Sequence, residues 1–330
     1  MDIRVMESGD LGRVMEIWNA SVAGHEVVYY PLTQAYFTQK FLENPNYDPA
    51  YSLVAVEDGR VAGFINGIAK KVFLPRETNG NTPGYLTCVF VDKAYRRKGV
   101  GTALLNALTA AFQKSGKARV ACSGGNPINL DWIVPGTKGH DHNNAPGMDE
   151  DCLGHPFLLK NGFTDRHREV AMYLNLKDYM PAPDLKERQE RLLAEGIYTG
   201  RYDVSLKYDF DGMCDRVGSE YWRKVLRDET SAPHPRPILA ATHEKSIVGF
   251  TGPVDKQVSG RGWFTGICTD PLFEKRGIAT VLFNLLMQEF IAEGAVFSTL
   301  FTGDDNHAQR VYLRTGFRIA RRFVVMDRAI

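Results

Sequence analysis

The stretch "RRKGVGTALL", residues 96–105, has a counterpart 178 positions later in "EKRGIATVLF", residues 274–283. Each is a basic cluster that runs through a Gly-x-small turn into an apolar helix. Working outward, "LTCVFVDKAYRRKGVG" (86–101) aligns without a gap on "FTGICTDPLFEKRGIA" (264–279), which sets Asp92 on Asp270 and Gly99 on Gly277. Both read as a β-rich run, an Asp-led turn and a helix start. Val100, Leu104, Ala107, Leu108 and Ala111 then recur at helical spacing, as do Ile278, Leu282, Leu285, Leu286 and Phe290. The two helices stop at Gly116 and Gly294, ahead of the strand-like runs "ARVACS" and "VFSTLFT".

The duplication extends to both sides. "DGRVAGFINGIA" (58–69) matches "EKSIVGFTGPVD" (244–255) as a hairpin whose second strand carries Gly63-Phe64 or Gly249-Phe250. Each half closes on a short helix ending in Gly-Phe, "HPFLLKNGF" to Phe163 and "NHAQRVYLRTGF" to Phe317. These endings lie 154 apart instead of 178, so the first half holds 24 more residues. They fall in residues 124–153, where Gly, Pro, Asn and Asp predict a solvated loop. A loop of that length ordinarily contributes to a site or moves. Between the halves, "KDYMPAPDLKERQERLLAEG" (177–196) has two prolines followed by a charged helical pattern. We expect a domain 1–180 with the long 124–153 loop, and a domain 181–330 that begins with a linker helix.

The 330 residues suffice for two such domains. A hydrophobic share of 44% beside 24% charged excludes disordered and fibrous classes. With 40 basic and 39 acidic side chains no global field draws the chain onto nucleic acid or membrane, and neither is expected as a partner. The five scattered cysteines read as reduced thiols. "MDIRVMESGD" is no signal peptide and no run approaches eighteen apolar residues, so a cytoplasmic protein is expected.

A glycine turn between strand and helix leaves the first helical N–H groups without intrahelical partners at the positive end of the helix dipole, an arrangement that binds phosphate. Gly99, Gly101, Gly277 and Ala279 are small enough to admit an anion. Arg96, Arg97, Lys98, Lys275 and Arg276 add charge, and Thr102 and Thr280 offer hydroxyls. Neither turn is a Walker loop, since no Gly-Lys-Ser/Thr follows, and the third glycine of a Rossmann fingerprint is missing. One such turn also describes a solvated surface loop. Its recurrence in matched context favours an anion cradle.

The string Arg96-x-x-Gly99-x-Gly101 after "VFVDKAY", the Gly-Phe hairpin before it and the closing helix-Gly-Phe resemble the GNAT superfamily of acetyl-CoA-dependent N-acetyltransferases. Because the pattern runs twice, the chain resembles a tandem GNAT protein of mycothiol-synthase-like architecture. The resemblance implies an α/β fold, a mixed sheet of α+β character with helices on both faces, in each of two GNAT domains. It implies acetyl-CoA as co-substrate, without a metal, with pantetheine between splayed fourth and fifth strands. Val89, Phe90 and Val91, and Ile267, Cys268 and Thr269, would offer backbone groups to it, and the turns with Val100 and Ile278 would hold the pyrophosphate. The acid that protonates the departing thiolate would be Tyr312, whose counterpart is Leu158, with Asn306 capping that helix beside the cofactor.

Glu274, where the first half has Arg96, departs from the pattern and would repel pyrophosphate if it faced inward, with Lys275 and Arg276 as an offset. The first half thus has the better cradle and the second the better acid. We therefore expect the C-terminal half to be catalytic, transferring acetyl to a primary amine of a small molecule or peptide by direct attack, and the N-terminal half to hold CoA without turnover. The alternative is a catalytically silent CoA-binding regulatory protein. No general base is evident, which leaves proton removal to water. Trp132 in "DWIVPGT" is expected to line an acceptor pocket. Asp209, Asp211, Asp215 and Glu220, around the helical pattern 212–230, would favour a cationic amine, although ordinary surface charge explains them equally well. His140, His142, Cys152 and His155 match no zinc spacing. The halves are expected to pack as pseudo-dimeric partners in a monomer, or the chain to form a homodimer.

Overall fold

A computed structural model describes all 330 residues, Met1–Ile330. The chain is mixed α/β and divides into two compact units, Met1–Ala171 with Ala320–Ile330, and Met172–Ile319.

The first unit is built on β1 (Asp2–Val5), β2 (Ser52–Glu57), β3 (Arg60–Ile68), β4 (Gly84–Val91) and β5 (Arg119–Cys122), which neighbour one another in that order. The β2–β3 hairpin closes through Asp58 and Gly59, both with positive φ, as a tight two-residue turn requires. β4 lies antiparallel to β3, with Phe64 opposite Phe90. Its parallel pairing with β5 is limited to Gly84–Val120 and Tyr85–Ala121, after which the two strands part. One face is covered by α1 (Leu11–Ala23) and α2 (Gln34–Phe37), which bury Trp18 and Phe37 against Phe64 and Phe90. α3 (Val100–Lys114) covers the other face, with Leu104, Leu108 and Phe112 against Ile65, Leu86 and Val120. Between β5 and α4 (Gly154–Lys160) the long insertion carries a short hairpin, β6 (Trp132–Ile133) with β7 (Asp141–His142), and β8 (Met148–Asp149). β9 (Thr164–Asn175) follows α4.

The second unit opens with α5 (Leu185–Ala194) and β10 (Ile197–Arg201). Next come α6 (Asp211–Val217), α7 (Glu220–Ser231), β11 (Leu239–His243), β12 (Ser246–Gly252), β13 (Asp255–Lys256), β14 (Arg261–Trp263) and β15 (Gly266–Thr269). α8 (Ile278–Ala292), β16 (Phe297–Gly303), α9 (Gln309–Arg314) and β17 (Arg318–Ala329) complete the chain. β10, β11, β12 and β15 form an antiparallel sheet in that order, which leaves β15 at its end. β14 pairs in parallel with β16 only at Arg261–Phe297 and Gly262–Ser298, the same limited contact that joins β4 to β5. The charged pattern over 212–230 is two helices, because Gly218 (φ 73°) ends the first and the Ser219 side chain caps the second at the Trp222 amide.

The compact units cut inside β9 and β17, where the sequence suggested a cut near the prolines at 181 and 183. The last eleven residues therefore belong with the N-terminal half, where Met326 pairs with Cys122 and Ala329 with Arg119. Strand exchange of this kind has no local sequence signal, since any apolar alternating strand fits either partner.

Two glycine–phenylalanine contacts repeat at the 178-residue spacing. A Cβ on Gly84 would lie 2.6 Å from the Phe112 ring, and one on Gly262 2.5 Å from the Phe290 ring. Each glycine thus lets the C-terminal end of the long helix lie flat on the strand that precedes it. Both rings are fully buried and have no room to yield. Gly84→Ala and Gly262→Ala are each predicted to lower unfolding free energy by about 1–3 kcal/mol in urea melts. Destabilisation of only one of them would break the equivalence of the halves.

Candidate functional site

Each glycine turn is set by the aspartate ahead of it. The Asp92 carboxylate accepts from the Ala94 amide at 2.8 Å and pairs with Arg13 of α1, while Asp270 accepts from Leu272 N at 3.0 Å and from Arg216 Nε of α6 at 2.8 Å. These aspartates are turn and clamp residues, held ionised below the usual carboxylate range by hydrogen bonds and arginine despite burial that opposes it. Beyond them Arg97 and Lys275 both take φ 63°, and Gly99 and Gly277 take 86° and 91°. A left-handed non-glycine residue costs on the order of 1–2 kcal/mol, so identical strain at matched positions is a built feature.

The consequence is a run of backbone donors with no acceptor in the protein. The first helical bonds are Ala103 N to Gly99 O at 2.9 Å and Val281 N to Gly277 O at 3.1 Å. The N–H groups of residues 97–102 and 274–280 donate to nothing in the chain. They include Val100, Gly101 and Thr102 in one turn and Ile278, Ala279 and Thr280 in the other. Around Gly99 no atom would meet a Cβ within 4 Å, whereas Gly101 is small because Phe157 of α4 would stand 3.2 Å from its Cβ. Gly101 is thus explained by packing, not by access for an anion.

The two cradles differ in their charges. Arg96 turns back from its turn, donating from Nε to Val91 O at 2.9 Å and from both terminal nitrogens to Glu26 at 3.0 and 2.8 Å. That pairing brings the Glu26 pKa down to about 2. The charge expected of Arg96 is therefore spent on Glu26, while Arg97 forms no ion pair and Lys98 lies over the Tyr95 ring. In the second turn Arg276 pairs with Glu195 at 2.7 Å, and Glu274 is exposed without an ion pair. The atoms nearest a Cβ on Gly277 are Arg188 Nη1 at 3.1 Å and Arg191 Nη2 at 3.8 Å, both from α5. Sequence reasoning missed these two; spacing of three on a helix puts them on one face, but only the fold brings that face to the turn.

Alternation fixes which strand groups face away from the hairpins. Asp92 N donates to Ala62 O and Asp270 N to Val248 O at 2.9 Å each. Two residues back, Phe90 and Cys268 face their hairpin partners, so Val89 and Val91, and Ile267 and Thr269, turn their backbone groups toward the parted strand. Phe90 packs on Trp18 at 4.5 Å and Cys268 on Met213. Burial pushes the Cys268 thiol up to about 12, which makes it inert.

In the first unit the gap between β4 and β5 is filled by the chain itself. Asn126 Nδ2 donates to Thr87 Oγ1 at 3.2 Å and reaches Leu86 O at 3.5 Å. The cavity left among Leu86, Thr87, Cys122, Ser123 and Asn126 measures about 30 Å³, against roughly 300 Å³ or more for a small-molecule pocket. The solvated loop expected here is instead packed. Ile128, Leu130, Trp132 and Val134 are all buried, and their every-second-residue spacing is the signal that the Gly and Asn content obscured. Trp132, expected at an acceptor pocket, is core: it stacks on His142 at 5.4 Å and donates Nε1–H to Asn144 O. His155 lies against Asp165 and Cys152 against Met148, so the histidines and the cysteine do not converge.

In the second unit no insertion follows β16, and residues 304–308 lead directly to α9. β15 keeps a free edge, beside which Thr269 Oγ1 is buried without a partner. Tyr312 on α9 is 6% exposed and packs on Phe283 at 4.7 Å, which packs on Phe264 at 6.2 Å, where the chain leaves β14 for β15. Its hydroxyl has no hydrogen bond within the protein, and burial pushes its pKa up to about 12. The counterpart Leu158 is fully buried. Asn306 accepts from Ala308 N and donates to Thr302 Oγ1, both at 2.9 Å, which makes it the cap of the α9 approach. Of the acidic group meant for a cationic amine, Asp211, Asp215 and Glu220 share Arg223, and Asp211 also meets Arg227, while Asp209 joins neither.

A family model described as "Acetyltransferase (GNAT) family" matches residues 14–131 and again 205–317. The chain belongs to the GNAT acetyltransferase family. It does so as a tandem protein, with one GNAT domain in each half. Among solved structures it is similar to the glucosamine N-acetyltransferase region of a fungal multi-domain GH3 β-N-acetylglucosaminidase, at TM-score 0.69 and 16% identity over 99% of this chain. The chain spans 38% of that protein's length. It is also similar to a GCN5-related N-acetyltransferase from Sphaerobacter thermophilus, at TM-score 0.62 and 15% identity, covering 99% of this chain and 95% of that one. A tandem GNAT protein from the clavulanic acid biosynthesis pathway gives TM-score 0.56 and 13% identity over 99% and 98%. No curated protein sequence matches significantly.

The Glu26–Arg96 pair makes a pH prediction. Its folded pKa lies below the ordinary 4.5, so its stabilisation is complete above pH 4.5 and is lost as pH falls toward 2. Urea melts of Glu26→Gln and the parent are expected to differ by on the order of 2–3 kcal/mol at pH 7 and to converge as pH falls through that window.

Proposed function

We propose that the chain transfers acetyl from acetyl-CoA to a primary amine of a small molecule or peptide, and that the C-terminal domain performs the reaction. GNAT proteins bind acetyl-CoA generally, and the residues here fit it. The observation that carries the proposal is the unpartnered N–H array of residues 274–280 beside a free-edged β15. Backbone donors fixed by glycine and by a clamped aspartate suit a diphosphate. The edge groups of Ile267 and Thr269 suit an extended amide chain and the thioester carbonyl. The packed 124–153 insertion leaves the N-terminal domain no comparable opening.

The bound co-substrate supplies an activated thioester acyl group. Ile267 and Thr269 hold and polarise it, and Tyr312 donates a hydrogen bond toward the departing sulfur. With its pKa at about 12, Tyr312 keeps its proton at every physiological pH. Complete transfer to a thiolate whose thiol has a pKa of about 8.5 is uphill by about 5 kcal/mol, so its contribution is hydrogen bonding more than proton release. No side chain of β15 is a base and Glu274 of the turn lies at the diphosphate end, so the amine's proton leaves through water.

Tyr312→Phe is predicted to lower turnover at least about tenfold with little change in acetyl-CoA affinity; unchanged turnover rejects its role. Gly277→Asp is predicted to abolish acetyl-CoA binding and Gly99→Asp to leave it intact, the two substitutions being matched in backbone strain. Binding lost only in Gly99→Asp would move the site to the other domain. Acceptors are found by release of free CoA thiol across a panel of amines that includes glucosamine. All five protein thiols are buried and stay silent in that assay.

A further inference from the structure

The second cradle carries more positive charge than its own turn explains. Four cations gather there: Lys275 and Arg276 from the turn, Arg188 and Arg191 from α5. Asp184 holds Arg188 at 2.6 Å and Glu195 holds Arg276 at 2.7 Å. Arg191 and Lys275 form no ion pair, and Glu274 beside them is exposed and pairs with neither. Arg188 also has its Nε–H buried with no acceptor. Like charges facing the positive end of α8 repel one another and the dipole, and an anion seated among them relieves that repulsion. The unpartnered N–H groups of residues 274–280 ask for the same thing from the other side.

We infer that Arg188 and Arg191 of the linker helix are diphosphate-binding residues of the C-terminal domain, supplying from outside the turn the charge that Glu274 removes from it. This rests on the acetyl-CoA reading above. It names residues lying outside both matched segments, 14–131 and 205–317, on a helix with no counterpart before β1. Arg188, beside Gly277, faces the diphosphate directly, and Arg191 flanks it one turn along the same helix face. The N-terminal cradle has no such helix, and its Arg96 is tied to Glu26.

The test is calorimetric titration of the full chain and of Arg188→Gln, Arg191→Gln and the double variant with acetyl-CoA and with acetyl-3′-dephospho-CoA. Each single variant is expected to weaken both ligands by roughly tenfold and by equal factors, because the contact is to the diphosphate that both share. Arg191 is exposed and forms no ion pair, so Arg191→Gln keeps the parent's melting temperature and isolates the binding effect. Parent-like affinity in the variants overturns the assignment while leaving the acetyl-CoA reading in place. Weakening confined to acetyl-CoA overturns it too, by moving the arginines to the 3′-phosphate. A parent that binds neither ligand overturns the acetyl-CoA reading and this inference with it, and the parent titration alone identifies that case.

Discussion

Backbone N–H groups at the start of α8 that have no acceptor in their own chain are the constraint around which the C-terminal domain is arranged. A helix end without a side-chain cap is a cost in an isolated domain. Here the neighbouring structure holds that end in place. Lys275 and Gly277 take left-handed backbone, Asp270 is clamped by Arg216, and Gly249 admits Ile278 to within 3.0 Å of where its Cβ would be. Local strain held by several independent supports is the kind of feature that gathers at binding surfaces, and the proposed diphosphate site rests on it.

The first domain repeats these supports and then diverges. Asp92, Arg97, Gly99 and Gly63 do there what Asp270, Lys275, Gly277 and Gly249 do in the second, down to the same φ of 63° at Arg97 and Lys275. What changed is the space beyond the turn. Alternating Ile128, Leu130, Trp132 and Val134 turn an insertion into core, and Asn126 reaches the β4 edge that β15 leaves open in the other half. The first domain is filled where the second leaves a strand edge open.

Much of this is legible in the residues because backbone geometry writes itself into sequence. Positive φ calls for glycine at Gly99, Gly116, Gly277 and Gly294, and close helix–strand packing calls for it at Gly84 and Gly262, so the duplication and both turns can be read directly. Side-chain electrostatics are not written locally. Arg96 looks like a phosphate ligand until Glu26, seventy positions away, is seen to hold it. Arg188 and Arg191 look like a solvated helix face until the fold sets them against Gly277. The same limit hid the strand exchange and the pairing of Asp211, Asp215 and Glu220 with Arg223.

The number of acetyl-CoA molecules held by one chain at saturation bears most directly on the claim that a single helix start serves as the diphosphate site. A calorimetric stoichiometry of one per chain is the predicted result. Two per chain would mean that the filled first domain opens after all, and none at millimolar ligand would mean that these amide hydrogens grip no diphosphate.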